Sequence, residues 1–214
     1  MTSCAECKAV SCSAVGARPL PQDCPATRFP AVYQAAAGLM ENDNDKEVAL
    51  WAARIEARGY CRWTRVEEIM EFAKGLGWSH LGLAFCLGLH REAAAASGIF
   101  QGNGFSVSSV ACKTGNVDKS SLGLDEQDKL RPGQPEGMCY PVAQAQVLNE
   151  LGTQLNVVVG LCVGHDSLFF KHSRAPVTVL VAKDRVLAHN PAGALYTAAG
   201  YYRRKLADHP VKDR

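Results

Sequence analysis

Two stretches of the chain follow the same pattern, and this repeat restricts the possible folds more than any other feature. Residues 64–86 read TRVEEIMEFAKGLGWSHLGLAFC, residues 140–162 read YPVAQAQVLNELGTQLNVVVGLC, and the two align without a gap. In each, a helical pattern precedes an apolar run of about six residues, which is typical of a strand buried on both faces. Both runs end at Cys-x-Gly, with the cysteines at Cys86 and Cys162.

The repeat continues beyond these cysteines. A second helical pattern and a second apolar run follow each one, ending at Lys113 in the first half and at Lys183 in the second. The order helix, strand, helix, strand therefore occurs twice, over residues 63–113 and 139–184, and we interpret it as a duplication. Alternating helices and strands predict an α/β fold with a largely parallel sheet and right-handed crossovers.

Local signals predict several element boundaries. Thr64 and Glu67 form a capping-box pattern at the start of the first repeat helix, and Pro141 suits the first turn of its counterpart. Residues 31–58 predict two helices that are broken near ENDND. Residues 114–138 are polar and rich in Gly and Pro, which indicates a long loop between the halves.

The N-terminal segment, residues 1–30, is a Cys-rich stretch without apolar periodicity, and we treat it as separate from an α/β domain over residues 31–214. Its cysteines follow the pattern C-x2-C-x4-C-x11-C-P, at Cys4, Cys7, Cys12 and Cys24. Such a spacing predicts a metal site, because a C-x2-C pair directs two thiolates onto one ion. Zinc and a second iron–sulfur cluster both fit the spacing, and a redox-active C-x2-C pair is the alternative.

Composition excludes several classes of protein. The chain has nine cysteines, an odd number, and no export signal is recognisable at its start. We therefore expect a cytoplasmic protein without a disulfide scaffold. With 23 basic and 21 acidic residues, the net charge of +2 favours neither nucleic acid nor a membrane as a partner. The apolar runs are far shorter than the roughly 20 residues that cross a bilayer.

Four cysteines of the predicted α/β domain lie where a parallel sheet collects ligands, at the carboxyl ends of strands. Cys86 and Cys162 end the matched strands, Cys112 ends the strand after Cys86, and Cys139 precedes the second-half helix. Together they predict a four-thiolate cofactor site, most readily a 4Fe–4S cluster. Buried cysteines also serve as small apolar residues, and this alternative is strongest for Cys112, because Ala182 occupies the matching position.

Polar side chains near the same strand ends are candidates for chemistry. His165 and Asp166 follow Cys162, and Lys183 follows the last apolar run. Cys162 with His165 as base and Asp166 as orienting group would form a nucleophilic site. The same residues could instead surround and tune a cluster, with Lys183 attracting an anion, or Asp166 could cap a helix.

The chain resembles an uncharacterised family of cysteine-rich metal-binding proteins, a domain of unknown function found mainly in anaerobic bacteria and archaea. The resemblance rests on the N-terminal cysteines and on the segments TRVEEIMEFAKGLG, LGLAFCLGL, ACKTGNVDK, MCYPVAQAQVLN, VVVGLCVGHDSLF and APVTVLVAKDRVLAHNP, which span nearly the whole chain. Tyr140 departs from the pattern, where Asn is expected. The resemblance implies metal binding in the cytoplasm of an anaerobic cell, and it implies no substrate.

Three functions are consistent with this sequence. The first is an iron–sulfur protein with a redox or electron-transfer role and an unknown redox partner. The second is an enzyme that acts on a small molecule through Cys162 and His165 and carries only structural zinc at the N-terminus. The third is a binding protein whose one metal is that zinc. The sequence leaves open whether the protein is an enzyme.

Overall fold

The structure is a computed structural model that describes residues 4–16 and 18–207. The chain divides into two compact units, Met1–Tyr60 and Cys61–Arg214. Residues 1–3 and Ala17 of the predicted N-terminal segment lie outside the described residues, and so do residues 208–214 of the predicted α/β domain. The predicted boundary after residue 30 falls within the first unit, and whether residues 1–30 fold separately stays a prediction.

The first unit consists of short turns followed by helices. Its elements are 3-10 turns at Cys4–Glu6 and Ser11–Ser13 and the helices α1 (Pro25–Arg28), α2 (Pro30–Leu39) and α3 (Asp43–Gly59). The two helices predicted for residues 31–58 are therefore confirmed. The break between them is stabilised by Asn42, whose side-chain oxygen accepts a hydrogen bond from the backbone N–H of Asn44.

In the second unit, helices and strands alternate. Its main elements are α4 (Arg65–Gly75), β1 (His80–Phe85), α5 (His90–Gly102), β2 (Ser106–Ala111), α6 (Pro141–Glu150), β3 (Leu155–Val159), α7 (His165–His172) and β4 (Val177–Val181), followed by the short helices α8 (Ala192–Tyr196) and α9 (Arg203–Ala207). Helix, strand, helix and strand therefore follow one another twice from α4 to β4. Whether the halves arose by duplication stays a prediction.

Helix α4 begins as its capping-box pattern predicts. The Glu67 carboxylate accepts hydrogen bonds from the Thr64 N–H and hydroxyl at 2.7 Å, and the Thr64 hydroxyl oxygen accepts one from the Glu67 N–H at 3.4 Å. These bonds to Thr64 lower the pKa of the Glu67 carboxyl. Pro141 likewise occupies the first turn of α6, where its missing N–H costs no hydrogen bond.

The four strands form one parallel sheet in the order β2-β1-β3-β4. The chain runs outward from β1 to β2, returns past β1 to β3, and continues outward to β4. Because connections between parallel strands are right-handed in nearly all proteins, these opposite directions put α5 on one face of the sheet and α6 and α7, which pack together, on the other. The reversal leaves a crevice beyond the carboxyl ends of β1 and β3, where ligands bind in such sheets.

The core of this unit lies on both sides of the two central strands. Every residue of β3 is buried, as are the last five residues of β1, which confirms the predicted strands buried on both faces. Phe100 of α5 and Phe169 of α7 are fully buried in this core. The carboxyl ends of β1 and β3 are therefore anchored in tightly packed surroundings, which makes them rigid supports for side chains at the crevice.

Candidate metal centre at the carboxyl edge of the sheet

Three cysteines lie at the same edge of the sheet because each follows a parallel strand. Cys86 comes directly after β1, Cys112 directly after β2, and Cys162 shortly after β3. Cys86 and Cys112 are buried, whereas Cys162 is half-buried. Cys86 and Cys162 flank the crevice at the reversal of strand order, which is the place that the predicted four-thiolate site requires.

The fourth cysteine reaches this edge through the long loop. The loop leaves the sheet after Cys112 and returns at Cys139, and its two ends are joined by a hydrogen bond of 2.7 Å from the Tyr140 N–H to the Cys112 carbonyl. This backbone contact brings the sulfur atoms of Cys112 and Cys139 to 3.6 Å from each other. Residue 140 makes this hydrogen bond through its backbone N–H, so a tyrosine in place of the expected Asn retains the bond to Cys112.

Charged side chains hold the loop together. The buried Lys129 ammonium pairs with Glu126 and, at 3.6 Å, with Asp118, while Lys119 pairs with Glu136. Asp118 also accepts hydrogen bonds from the N–H groups of Ser120 and Glu136, and these bonds hold the pKa of its carboxyl well below its ordinary value. The pairs with lysine likewise lower the pKa values of Glu126 and Glu136.

Hydrogen bonds link three of the four thiols into a chain from Cys86 through Cys112 to Cys139. The bond to Cys112 and then burial raise the pKa of the Cys86 thiol to about 12. At the other end, the hydrogen bond that Cys139 shares with Cys112 lowers the pKa of Cys139 to about 7. Cys162 lies close enough to act electrostatically on Cys139. The four predicted ligands therefore lie at the same edge of the sheet, with Cys112 and Cys139 in contact.

Cations and backbone N–H groups donate hydrogen bonds to these sulfurs. The Lys183 ammonium reaches across β3 to the Cys86 sulfur at 3.3 Å, and the Arg185 guanidinium donates to the Cys162 sulfur at 2.9 Å. The Leu87 N–H donates to the Cys112 sulfur at 3.3 Å, and the Gly88 N–H bonds to the Cys86 sulfur. A side chain at Gly88 would approach the Lys183 nitrogen to 3.3 Å.

The donor set fits a thiolate-bound metal, although the side chains are not arranged around one ion position. Among residues 4–16 and 18–207, no three His, Cys, Asp or Glu side chains form such an arrangement. Thiolates around a tetrahedral ion with bonds of about 2.3 Å lie roughly 3.8 Å apart, close to the 3.6 Å between the Cys112 and Cys139 sulfurs. Four sulfur donors with N–H groups directed at them also suit an iron–sulfur cluster.

The predicted base lies beside this site without contacting the thiol through its ring. The His165 N–H donates to the Cys162 carbonyl at 2.9 Å, and no hydrogen bond joins the two side chains in the described part of the chain. Burial lowers the pKa of His165, which favours the neutral ring at pH 7. The Asp166 carboxylate accepts a hydrogen bond of 2.8 Å from the Ser167 N–H in the first turn of α7, but the N-cap of this helix is Gly164, and no side chain caps it.

Arg185 is the main site residue that the sequence did not identify. It stands two residues after Lys183, beyond the end of β4, in a polar stretch without a recognisable motif. Its contact with Cys162 requires β4 to lie beside β3, which the order of elements along the chain does not determine.

The predicted N-terminal metal ligands belong to the first unit. Cys4, Cys7 and Cys12 are exposed and Cys24 is half-buried. All four line a single cavity of about 90 Å³.

The fold and the site define a parallel α/β protein with a cluster of thiols at the reversal point of its sheet. The chain belongs to the family described as proteins of unknown function, DUF1847, whose model matches residues 24–180. The Uncharacterized protein MJ0455 of Methanocaldococcus jannaschii is 45% identical over 168 residues, covering 78% of this chain and 84% of that protein. The predicted membership of an uncharacterised family is therefore confirmed.

The matched range includes the four thiols of the candidate metal centre, whereas Lys183 and Arg185 follow it. Within the described part of the chain, every helix is too short or too polar to span a bilayer.

Proposed function

We propose that the second unit binds an iron–sulfur cluster through Cys86, Cys112, Cys139 and Cys162 and serves in electron transfer. The observation that supports it most is the convergence of four thiols from separate elements at one crevice, with two cations directed at the sulfur atoms. Such a cluster supplies one-electron redox chemistry. Zinc, which has no redox chemistry, is the competing occupant.

The charges around the thiols favour a metal–thiolate centre with a net negative charge. A neutral thiol is a weak hydrogen-bond acceptor, yet Lys183 and Arg185 each place a charged donor on one. Metal binding removes the thiol protons, and the resulting thiolates become strong acceptors for these donors. Four thiolates outweigh the positive charge of a zinc ion or of an oxidised cluster, and the two cations offset the excess.

The surroundings of the site also suit electron transfer. Hydrogen bonds from Leu87 and Gly88 to sulfur stabilise negative charge at the site, and such bonds set the potential of a cluster. Cys162 is half-buried and Arg185 is exposed, so one side of the site lies near the surface, where a partner can approach. One electron enters from a reduced carrier protein and one leaves to an oxidised carrier, without a change of covalent bonds in the chain.

Metal analysis of protein purified without oxygen tests this proposal. The full chain is expected to contain iron and acid-labile sulfide and to absorb broadly near ~400 nm. The double variant Cys86→Ser, Cys162→Ser is expected to lose one cluster's iron and sulfide. Cys61→Ser is the matched control, because Cys61 is exposed and lies outside the thiol cluster. Unchanged iron in the double variant, or a protein that holds only zinc, would contradict the proposal.

A second candidate function follows from one contact. The Arg185 guanidinium lies 2.9 Å from the Cys162 sulfur, and a cation at this distance stabilises a nucleophilic thiolate. If Cys162 acts on a small molecule, metal-free protein should react with iodoacetamide at Cys162 much faster than at Cys61, and Arg185→Met should remove the difference. Equal rates at both cysteines would contradict this candidate. In this candidate His165 is the base and Asp166 the orienting group, and the His165 ring must turn toward the Cys162 thiol to act, because only its backbone N–H bonds to Cys162.

A further inference from the structure

The four N-terminal cysteines surround a cavity that is too large for one ion. Cys4, Cys7, Cys12 and Cys24 all line it, and its volume is about 90 Å³. One water molecule needs only about 10–15 Å³ of such space, so the cavity has room for several atoms. A zinc ion held by four thiolates leaves no such space, because sulfurs bound at about 2.3 Å contact one another around it.

The four sulfur donors share this cavity. Among residues 4–16 and 18–25, no three of the side chains that ligate metals are arranged about one ion position, although four thiols share one cavity. A cluster of several metal and sulfide atoms is held by four thiolates, one at each of its corners. The last cysteine is followed by Pro25, as in the C-P ending of bacterial cluster motifs.

The local backbone directs the thiols to the cavity. A 3-10 turn spans Cys4–Glu6, and the Cys7 N–H donates to the Cys4 carbonyl at 3.2 Å, which places this pair on one side. The chain then reverses at Val10, whose φ of 43° is unusual for a β-branched residue, and brings Cys12 to the same cavity. Pro21 accepts a hydrogen bond from the Cys24 N–H at 3.1 Å and also lines the cavity.

The described part of this segment lacks an apolar core of its own. Ser11 is the one buried residue among residues 4–16 and 18–25. The wall of the cavity is largely apolar, with Val10, Leu20 and Pro21, and Asp23 is the one acidic residue on it. A short segment of this kind is ordered by what it binds, as in small metal-binding domains that are unfolded without their metal.

We infer that the first unit binds a polynuclear iron–sulfur cluster, not a zinc ion, through Cys4, Cys7, Cys12 and Cys24. The chain would then carry two clusters, one in each unit. This inference rests on the N-terminal cavity and does not depend on the site in the second unit.

Variants of the full chain separate the two sites. Protein reconstituted without oxygen, in the presence of iron, sulfide and zinc, is analysed for all three elements. If both clusters have the same size, the variant Cys7→Ser, Cys12→Ser is expected to lose about half of the iron and sulfide. Its zinc content should stay unchanged. Cys61→Ser is the control for loss of an exposed cysteine. Loss of zinc with iron and sulfide unchanged would overturn the inference, and so would the absence of any change.

The Cys7→Ser, Cys12→Ser variant could lose its metal because the N-terminal unit misfolds, so a second variant leaves that unit unchanged. The variant Cys86→Ser, Cys162→Ser is expected to retain iron and sulfide in a ratio of about one, as in a cubane cluster. Retention of zinc alone in this variant would also overturn the inference. If this variant loses nothing while the N-terminal variant loses a cluster, the proposed function of the second unit fails and the N-terminal site stands.

Discussion

At the scale of single residues, the candidate metal centre depends on two cations that come from one strand end. Lys183 and Arg185 follow β4, yet they contact different thiols, Cys86 after β1 and Cys162 after β3. Lys183 can reach Cys86 because Gly88 lacks a side chain, and a Cβ there would lie 3.3 Å from the lysine nitrogen. The positive charge therefore lies where negative charge increases when a cluster is reduced.

The first prediction concerns Lys183. Lys183→Met should lower the midpoint potential of the cluster in the second unit, because a nearby positive charge stabilises the reduced form. The loss of one partly exposed charge interaction of about 1 kcal/mol corresponds to roughly 40 mV for one electron. A redox titration followed by electron paramagnetic resonance measures the shift. Lys171→Met is the control, because Lys171 is exposed on α7. Equal potentials in both variants and the wild type would contradict the assigned contact.

The roles of single residues were only partly predictable. Cys112 lacks a matching cysteine at Ala182 and was the weakest of the four predicted ligands, but it is the central member of the hydrogen-bonded thiols. Pairing between neighbouring strands and the return of the loop determine its contacts, and neither can be derived from comparison of the two halves. The contacts of Lys183 and Arg185 could not be predicted either, because they depend on which strands are neighbours in the sheet.

At the scale of elements, the loop between β2 and α6 is an ordered part of the site. Its hydrogen bond from Tyr140 to Cys112 closes the loop, and its ionic network around Lys129 folds the intervening residues. Cys139 therefore lies beside Cys112 because the loop is folded. The composition of residues 114–138 predicted a loop but not this network, because the pairs form only when turns bring distant charges together.

A second prediction concerns the acid stability of this loop in the metal-free protein. The folded-state pKa values of Asp118, Glu126 and Glu136 lie below their ordinary values of 3.8 and 4.5. Their stabilisation of the loop is therefore fully present above about pH 4.5 and is lost as the pH falls through the lowered pKa values. Hydrogen-exchange protection of the Ser120 and Leu130 amides should fall in this range, while that of β3 amides should persist.

Substitution of one carboxylate tests the same network at neutral pH. Asp118→Asn should reduce loop protection by roughly tenfold, because the variant side chain loses the charge opposite Lys129 and an acceptor for the Glu136 N–H. Asp125→Asn is the matched control, because the Asp125 side chain makes no capping hydrogen bond. A loop that is equally protected in both variants and insensitive to acid would show that the ionic network does not hold Cys139 in place.

At the scale of the whole molecule, the two units present two different arrangements of four cysteines. In the second unit, a rigid parallel sheet brings together thiols that are distant in sequence, at the crevice that its strand order creates. In the first unit, four cysteines close in sequence surround a cavity in a segment whose described part lacks an apolar core. The pattern of helices and strands predicted the α/β fold, whereas the division after Tyr60 was not predicted, because α2 and α3 carry no composition break that marks it.

X-ray absorption at the iron edge tests the central claim most directly. The full chain with Cys4, Cys7, Cys12 and Cys24 all changed to Ser is purified and reconstituted without oxygen, so that iron bound in the second unit is the iron observed. The proposal predicts a first shell of sulfur atoms and a second shell of iron atoms around each iron. Iron bound by oxygen or nitrogen, or a variant that takes up no iron while it keeps its fold, would contradict the assignment of the four sheet-edge thiols as an iron–sulfur site.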